Sequence, residues 1–82
     1  MKVIQCKSFA SGRYSESIVW EGTRIKEARG QVRHNFKSEL EMLMKHDFFG
    51  DDYNIDEENF TIEIINNGKM FFKINWRIED GV

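Results

Sequence analysis

The sequence predicts an α+β domain: a two-layer sandwich with one long helix packed on an antiparallel four-stranded sheet, in the chain order β-β-α-β-β. Three observations carry this. Apolar residues recur at steps of three and four from Ile25 to Leu43, which is the pattern of one amphipathic helix. Alternation at period two flanks that stretch on both sides, as strands with one buried face require. A lone helix cannot bury its own apolar stripe, so the strands must supply the second layer. The alternative is a sheet split into two hairpins, each packed on a different part of the helix.

Residues 2–9 and 14–21 each read as a strand, with Ser11-Gly12-Arg13 as the turn between them. In the second, Tyr14, Glu16, Ile18 and Trp20 fall on one face. In the first, Val3 and Phe9 point one way while Ile4 and Cys6 point the other, so either face qualifies as the inward one. Gly22-Thr23 then breaks the strand and offers Thr23 as a helix N-cap. From there Ile25, Ala28, Val32, Phe36, Leu40 and Leu43 form the stripe; at about 100° per residue they span an arc of roughly 120°. Phe36 and Leu40, mid-helix, are the expected centre of the core. Gly30 lies off the stripe and costs about 1 kcal/mol relative to Ala. The helix is expected to stop before Gly50, with His46-Asp47-Phe48-Phe49 as its frayed end.

The last segment poses a question of register. Phe60, Ile62 and Ile64 alternate on one strand, and Met70, Phe72, Ile74, Trp76 and Ile78 alternate on the next. A two-residue Asn67-Gly68 turn would pair 64 with 71 and 62 with 73, setting the second apolar set against the polar face of the first. A three-residue loop, Asn66-Asn67-Gly68, pairs 64 with 70 and 62 with 72, so that both apolar faces coincide. Burial of several large side chains outweighs a turn preference of about 1 kcal/mol, so the three-residue loop is the predicted connection.

Eighty-two residues make a single domain, residues 1–82, that buries roughly two-thirds of its unfolded surface. No apolar run approaches the ~20 residues of a membrane span, and no membrane partner is expected. Cys6 is the only cysteine, which excludes an intramolecular disulfide and a cysteine-based zinc site. The start, Met1 to Lys7, has no apolar stretch of signal-peptide kind. A reducing, cytoplasmic setting is therefore expected. The absence of proline removes PxxP-type ligands.

Charge is segregated along the chain. Residues 1–46 carry nine Lys and Arg against five acids, and residues 47–82 carry three against nine. Lys26, Arg33 and Lys37 share one helix flank beside the apolar stripe. Asp51, Asp52, Asp56, Glu57 and Glu58 form an acidic connection into the third strand, read as a solvated, mobile loop. Such runs are usually solvated faces; here they also make a bipolar surface suited to a charged partner or a second copy.

The side chains that bear chemistry are sparse. Asp52, Asn54, Asp56 and Glu63 have the spacing of calcium-loop ligands, but Glu57 stands where that loop needs glycine, and a strand follows instead of a helix. No calcium site is expected. His34 and His46 lie twelve residues apart on the helix, about 18 Å, too far to share a metal. Neither is read as part of the nucleophile, base and carboxylate set that nucleophilic catalysis requires, and Cys6 within a strand reads as a small buried hydrophobe. No catalytic residue, cofactor or metal is expected.

Two binding functions remain. In the three-residue-loop register the outward face of the last strand carries Lys69, Phe71, Lys73, Asn75 and Arg77. A basic strand with an exposed aromatic could stack a base and meet phosphates. Glu63 and Glu57 would lie opposite Phe71 and Arg77, however, and the pI of about 5.6 is unlike a basic footprint. The favoured expectation is a small non-catalytic intracellular accessory module acting through protein–protein contacts, with itself or with a host partner. Its candidate binding residues are Lys26, Arg33, Lys37, Lys69, Phe71, Lys73 and Arg77. Two open sheet edges support that reading, and sheet-face nucleic-acid binding is the alternative.

Overall fold

The computed structural model of the protein describes residues 1–46 and 52–80. One helix packs on an antiparallel sheet, as the stripe demands, but the sheet has five strands and the chain order is β-β-α-β-β-β. The elements are β1 (Lys2–Phe9), β2 (Tyr14–Glu21), α1 (Ile25–Lys45), β3 (Asp52–Asp56), β4 (Thr61–Asn66) and β5 (Lys69–Glu79). In space the strands run β2-β1-β5-β4-β3, every neighbour antiparallel. The first and last strands thus pair in the interior, and the helix carries the chain from the β2 edge to the β3 edge.

The interior place of β1 explains its two-sided sequence. Val3 joins the core beneath the helix, and Ile4 and Cys6, on the opposite face, are buried as well. The acidic connection proves to hold a strand. Tyr53 and Ile55 pair with Ile64 and Ile62 and extend the helix-facing side, while Asp52, Asn54 and Asp56 alternate onto the other side. An edge strand tolerates those carboxylates because their face remains in water.

The β4–β5 connection corrects the expected loop. Asn67 and Gly68 both have positive φ, 54° and 75°, and form a two-residue turn between the paired residues Asn66 and Lys69, the geometry that Asn-Gly favours. Pairing then shifts from Ile65↔Met70 to Ile64↔Phe72, leaving Phe71 as the extra residue of a bulge. The shift restores the match of apolar faces, with Ile62 opposite Ile74. Matched faces were the right requirement, and a tight turn plus a bulge meets it in place of a longer loop. A second irregularity, at Val19, sets Trp20 opposite Val3 and Ile18 opposite Ile4. Trp20 therefore leaves the face of Tyr14, Glu16 and Ile18 and turns to the helix side, its ring close over Gly22.

Val3, Ala28, Val32, Phe36, Leu43, Ile62, Ile64, Ile74 and Trp76 make up the core. Phe36 lies at its centre, edge-on to Phe60 at 5.6 Å and to Trp76 at 6.2 Å. Leu40, expected beside it, is only partly buried. Ile25, at the exposed first turn, is 41% accessible. Extended Arg24 takes the N-cap position in place of Thr23 and makes no side-chain cap. At the other end α1 closes at Lys45 with His46 as C-cap; the expected frayed residues Asp47 to Phe49, and Gly50, lie outside the described residues.

Candidate functional site

The helix covers one face of the sheet only. On the other face β2, β1 and β5 present an organised cluster. Tyr14 and Glu16 stand on β2, Cys6 on β1 and Arg77 on β5, within one band across three strands because of the registers Cys6↔Glu16 and Ile4↔Arg77. Arg77 grips Glu16 in a fork, Nη2 to Oε2 at 2.9 Å and Nη1 to Oε1 at 3.3 Å, and Nη1 also donates to the Cys6 sulfur at 3.1 Å. The Tyr14 hydroxyl donates to Glu16 Oε1 at 2.7 Å, and Glu79 lies 3.6 Å from Arg77. The guanidinium, and then the phenol, hold Glu16 below the usual carboxylate range. Chiefly through its bond to Glu16, the Tyr14 hydroxyl is pushed up to about 12. Arg77 is held more firmly protonated still, first by Glu16. This arch roofs the buried Ile4 and Cys6, an ordered polar lid over an apolar floor.

The candidate residues of the last strand are dispersed by this arrangement. Arg77 is committed to Glu16 and Glu79, whereas the expected register placed Glu57 opposite it. Lys73 faces Glu63 across the ladder, the position expected for Phe71. Phe71 sits in the bulge, 52% exposed, and its carbonyl accepts from Ala10 N–H at 3.0 Å. Lys69 is exposed at the start of β5, beside the turn. On the helix, Lys26 is exposed near the N-terminal end, and Arg33 and Lys37 stand beside Phe36, Leu40 and Phe60. The helix candidates and the strand candidates Lys73 and Arg77 thus lie on opposite sides of the sheet.

Strand periodicity explains the calcium-like spacing. Asp52, Asn54 and Asp56 are alternate residues of β3, and Asn54 donates to Glu63 Oε1 at 3.2 Å from the facing strand. Asp56 instead organises the turn into β4, accepting from the backbone N–H groups of Glu58 and Asn59 and from the Asn59 side chain. Those bonds, the Asn59 side chain first, hold its carboxyl below the usual range. Among the described residues no group of three or more His, Cys, Asp or Glu side chains gathers to hold a metal. Nor, among them, is any helix long and apolar enough to cross a membrane.

The edges differ in character. The β3 edge is five residues long and carries Asp52 and Asp56. The β2 edge is eight residues long with only Glu16 and Glu21 charged, and it is exposed from Tyr14 to Ile18. Sequence reading named neither Tyr14 nor Glu16 as site residues, although their shared face was legible. What it lacked was the β1–β5 pairing that brings Arg77 to them.

No family model, curated protein or solved structure matches this chain.

Proposed function

We propose that the protein is a small non-catalytic binding module that takes up an extended segment of protein, from a partner or a second copy, along the β2 edge. The observation that carries this is the edge itself: eight residues hydrogen-bonded on one side only, without Lys or Pro. Unpaired N–H and C=O groups along such a strand are a template for strand addition, and alternate side chains supply selectivity. Here those side chains are Tyr14 and Ile18, 56% and 52% exposed. Carboxylates guard the opposite edge. A reducing compartment, where the lone Cys6 stays a thiol, suits the module.

The sheet-face nucleic-acid reading is weakened by the ion pair of Arg77 with Glu16 and by the place of Glu63 opposite Lys73 in the ladder. Its electrostatic attraction would have to outcompete anions already in place.

The test has two arms. Light scattering over a concentration series reports self-association, and selection from a random peptide library reports extended ligands. Ile18→Lys places a charge on the edge and should abolish whichever contact is found. Binding that persists unchanged in Ile18→Lys would refute the proposal. So would micromolar affinity for random single-stranded nucleic acid at physiological salt that vanishes in the Lys73→Ala, Arg77→Ala double variant.

A further inference from the structure

A second surface, remote from the β2 edge, has the composition of a ligand site. Between α1, the turn from β3 to β4 and the end of β5, two hollows follow one another and share Arg33 and Phe60 as walls. The first, about 300 Å³, is floored by Val32, Phe60, Trp76 and Ile78 and rimmed by Arg29 and Arg33. The second, about 420 Å³, continues over Phe36, Leu40 and Phe60, with Lys37 and Glu57 at its rim. Each reaches the size at which small-molecule sites begin. Arg29, Arg33 and Lys37 are spaced by four residues, so they stack along one side of the helix over about 12 Å. Among the described residues none of the three is in an ion pair. The result is an apolar trough with a row of cations along one wall, faced by an acid only at the Lys37 end.

We propose that this trough binds a free medium-chain fatty acid as its carboxylate. Charge complementarity fixes the class. An apolar floor with cations on its rim selects an anion whose body is hydrocarbon; a neutral or cationic amphiphile leaves the row unanswered. The two ends differ, and that sets the direction. Glu57 repels a carboxylate from the Lys37 end, whereas the Arg29–Arg33 end has no acid in its lining. The head group therefore meets the two guanidinium groups, which suit a carboxylate through paired N–H donors. The acyl chain lies over Phe60 toward Leu40. The floor is preformed by the edge-on contacts of Phe36 with Phe60 and Trp76, and the Trp76 indole is fixed by its hydrogen bond to Gln5 at 3.0 Å. The floor therefore needs little ordering on binding, and the cost falls on the exposed cationic side chains.

The experiment is a titration of the ¹⁵N-labelled chain with decanoate, followed by amide and indole chemical shifts. The expected result is saturable binding, with shifts confined to Arg29–Leu40, Phe60 and the Trp76 indole, and no shift along Tyr14–Ile18. Arg29→Gln with Arg33→Gln should weaken it at least tenfold while the melting temperature stays within a degree or two; Lys26→Gln should leave it unchanged. Equal affinity for decanol or decyltrimethylammonium would overturn the proposal, because the cations would then select nothing. Unchanged affinity in the double variant would overturn it too. Binding of anionic phospholipid vesicles or an acidic peptide through the same residues, without any response to decanoate, would assign the trough to a different occupant and refute the fatty acid.

Discussion

Replacing Phe36 by Ala should be far more damaging than replacing Leu40 by Ala, although both sit mid-helix on the apolar stripe. Phe36 is 5% exposed and packs edge-on to two rings. Its truncation removes a buried aromatic and leaves a cavity, at a cost of about 3–5 kcal/mol, of which each lost ring pair contributes roughly 0.5–1.5 kcal/mol. Leu40 is only partly buried, at the floor of the trough, so the full buried-leucine penalty does not apply; about 1–2 kcal/mol is expected. At roughly 0.05–0.15 kcal/mol per residue, the whole chain has about 4–12 kcal/mol to lose. Phe36→Ala thus leaves a marginal fold and Leu40→Ala a sound one. Urea titration followed by tryptophan fluorescence and far-ultraviolet circular dichroism measures both. With an m value of about 1 kcal/mol per M, the midpoint should fall by about 3 M or more for Phe36→Ala and by about half that or less for Leu40→Ala. Equal losses, or a Phe36→Ala loss under about 1 kcal/mol, would show that the core is not centred where the ring contacts place it.

Three further outcomes are expected. A Cβ at Gly30 meets nothing within 4 Å, so Gly30→Ala should stabilise by about 0.5–1 kcal/mol, read as a rise in melting temperature of a few degrees. A Cβ at Gly22 would clash with the Trp20 ring, so Gly22→Ala should destabilise by about 1–3 kcal/mol and alter the near-ultraviolet tryptophan signal. The folded state depresses the Glu16 and Asp56 carboxyls, so their stabilisation is complete above the ordinary carboxylate range and is lost as pH falls through about 4 and below. Denaturant titrations at several pH values should show that decline, shallower in Glu16→Gln. Tyr14 is shifted the other way, to about 12, so its contribution is complete below about pH 10 and disappears as pH rises toward 12. Its phenolate absorbance should appear near 12 in the native chain and move back toward 10 in Glu16→Gln.

The sequence by itself determined the helix, the strands that flank it, and the class of the fold. Those features depend on local periodicity: the stripe from Ile25 to Leu43 and the alternation of Tyr14 with Ile18 or Ile62 with Ile64 can be read without knowing any neighbour. It also established the requirement that the β4 and β5 apolar faces coincide, since a slip of one residue would turn a whole set of large side chains to water. The strand between Asp52 and Asp56 was present as the alternation of Tyr53 and Ile55, but its two acids and those around it gave the segment the look of a solvated loop. Only tertiary structure decided the rest. The bulge at Phe71 is a non-local compromise between the Asn67-Gly68 turn and the match of Ile64 with Phe72, and neither partner encodes it alone. The pairing of β1 with β5 joins residues some seventy positions apart. That pairing buries Ile4 and Cys6 as well as Val3, and it brings Arg77 to Glu16 and Tyr14. The cationic trough arises the same way. Arg29, Arg33 and Lys37 are plain in the helical spacing, but their floor of Phe60, Trp76 and Ile78 comes from the other end of the chain, and a site exists only where the two meet.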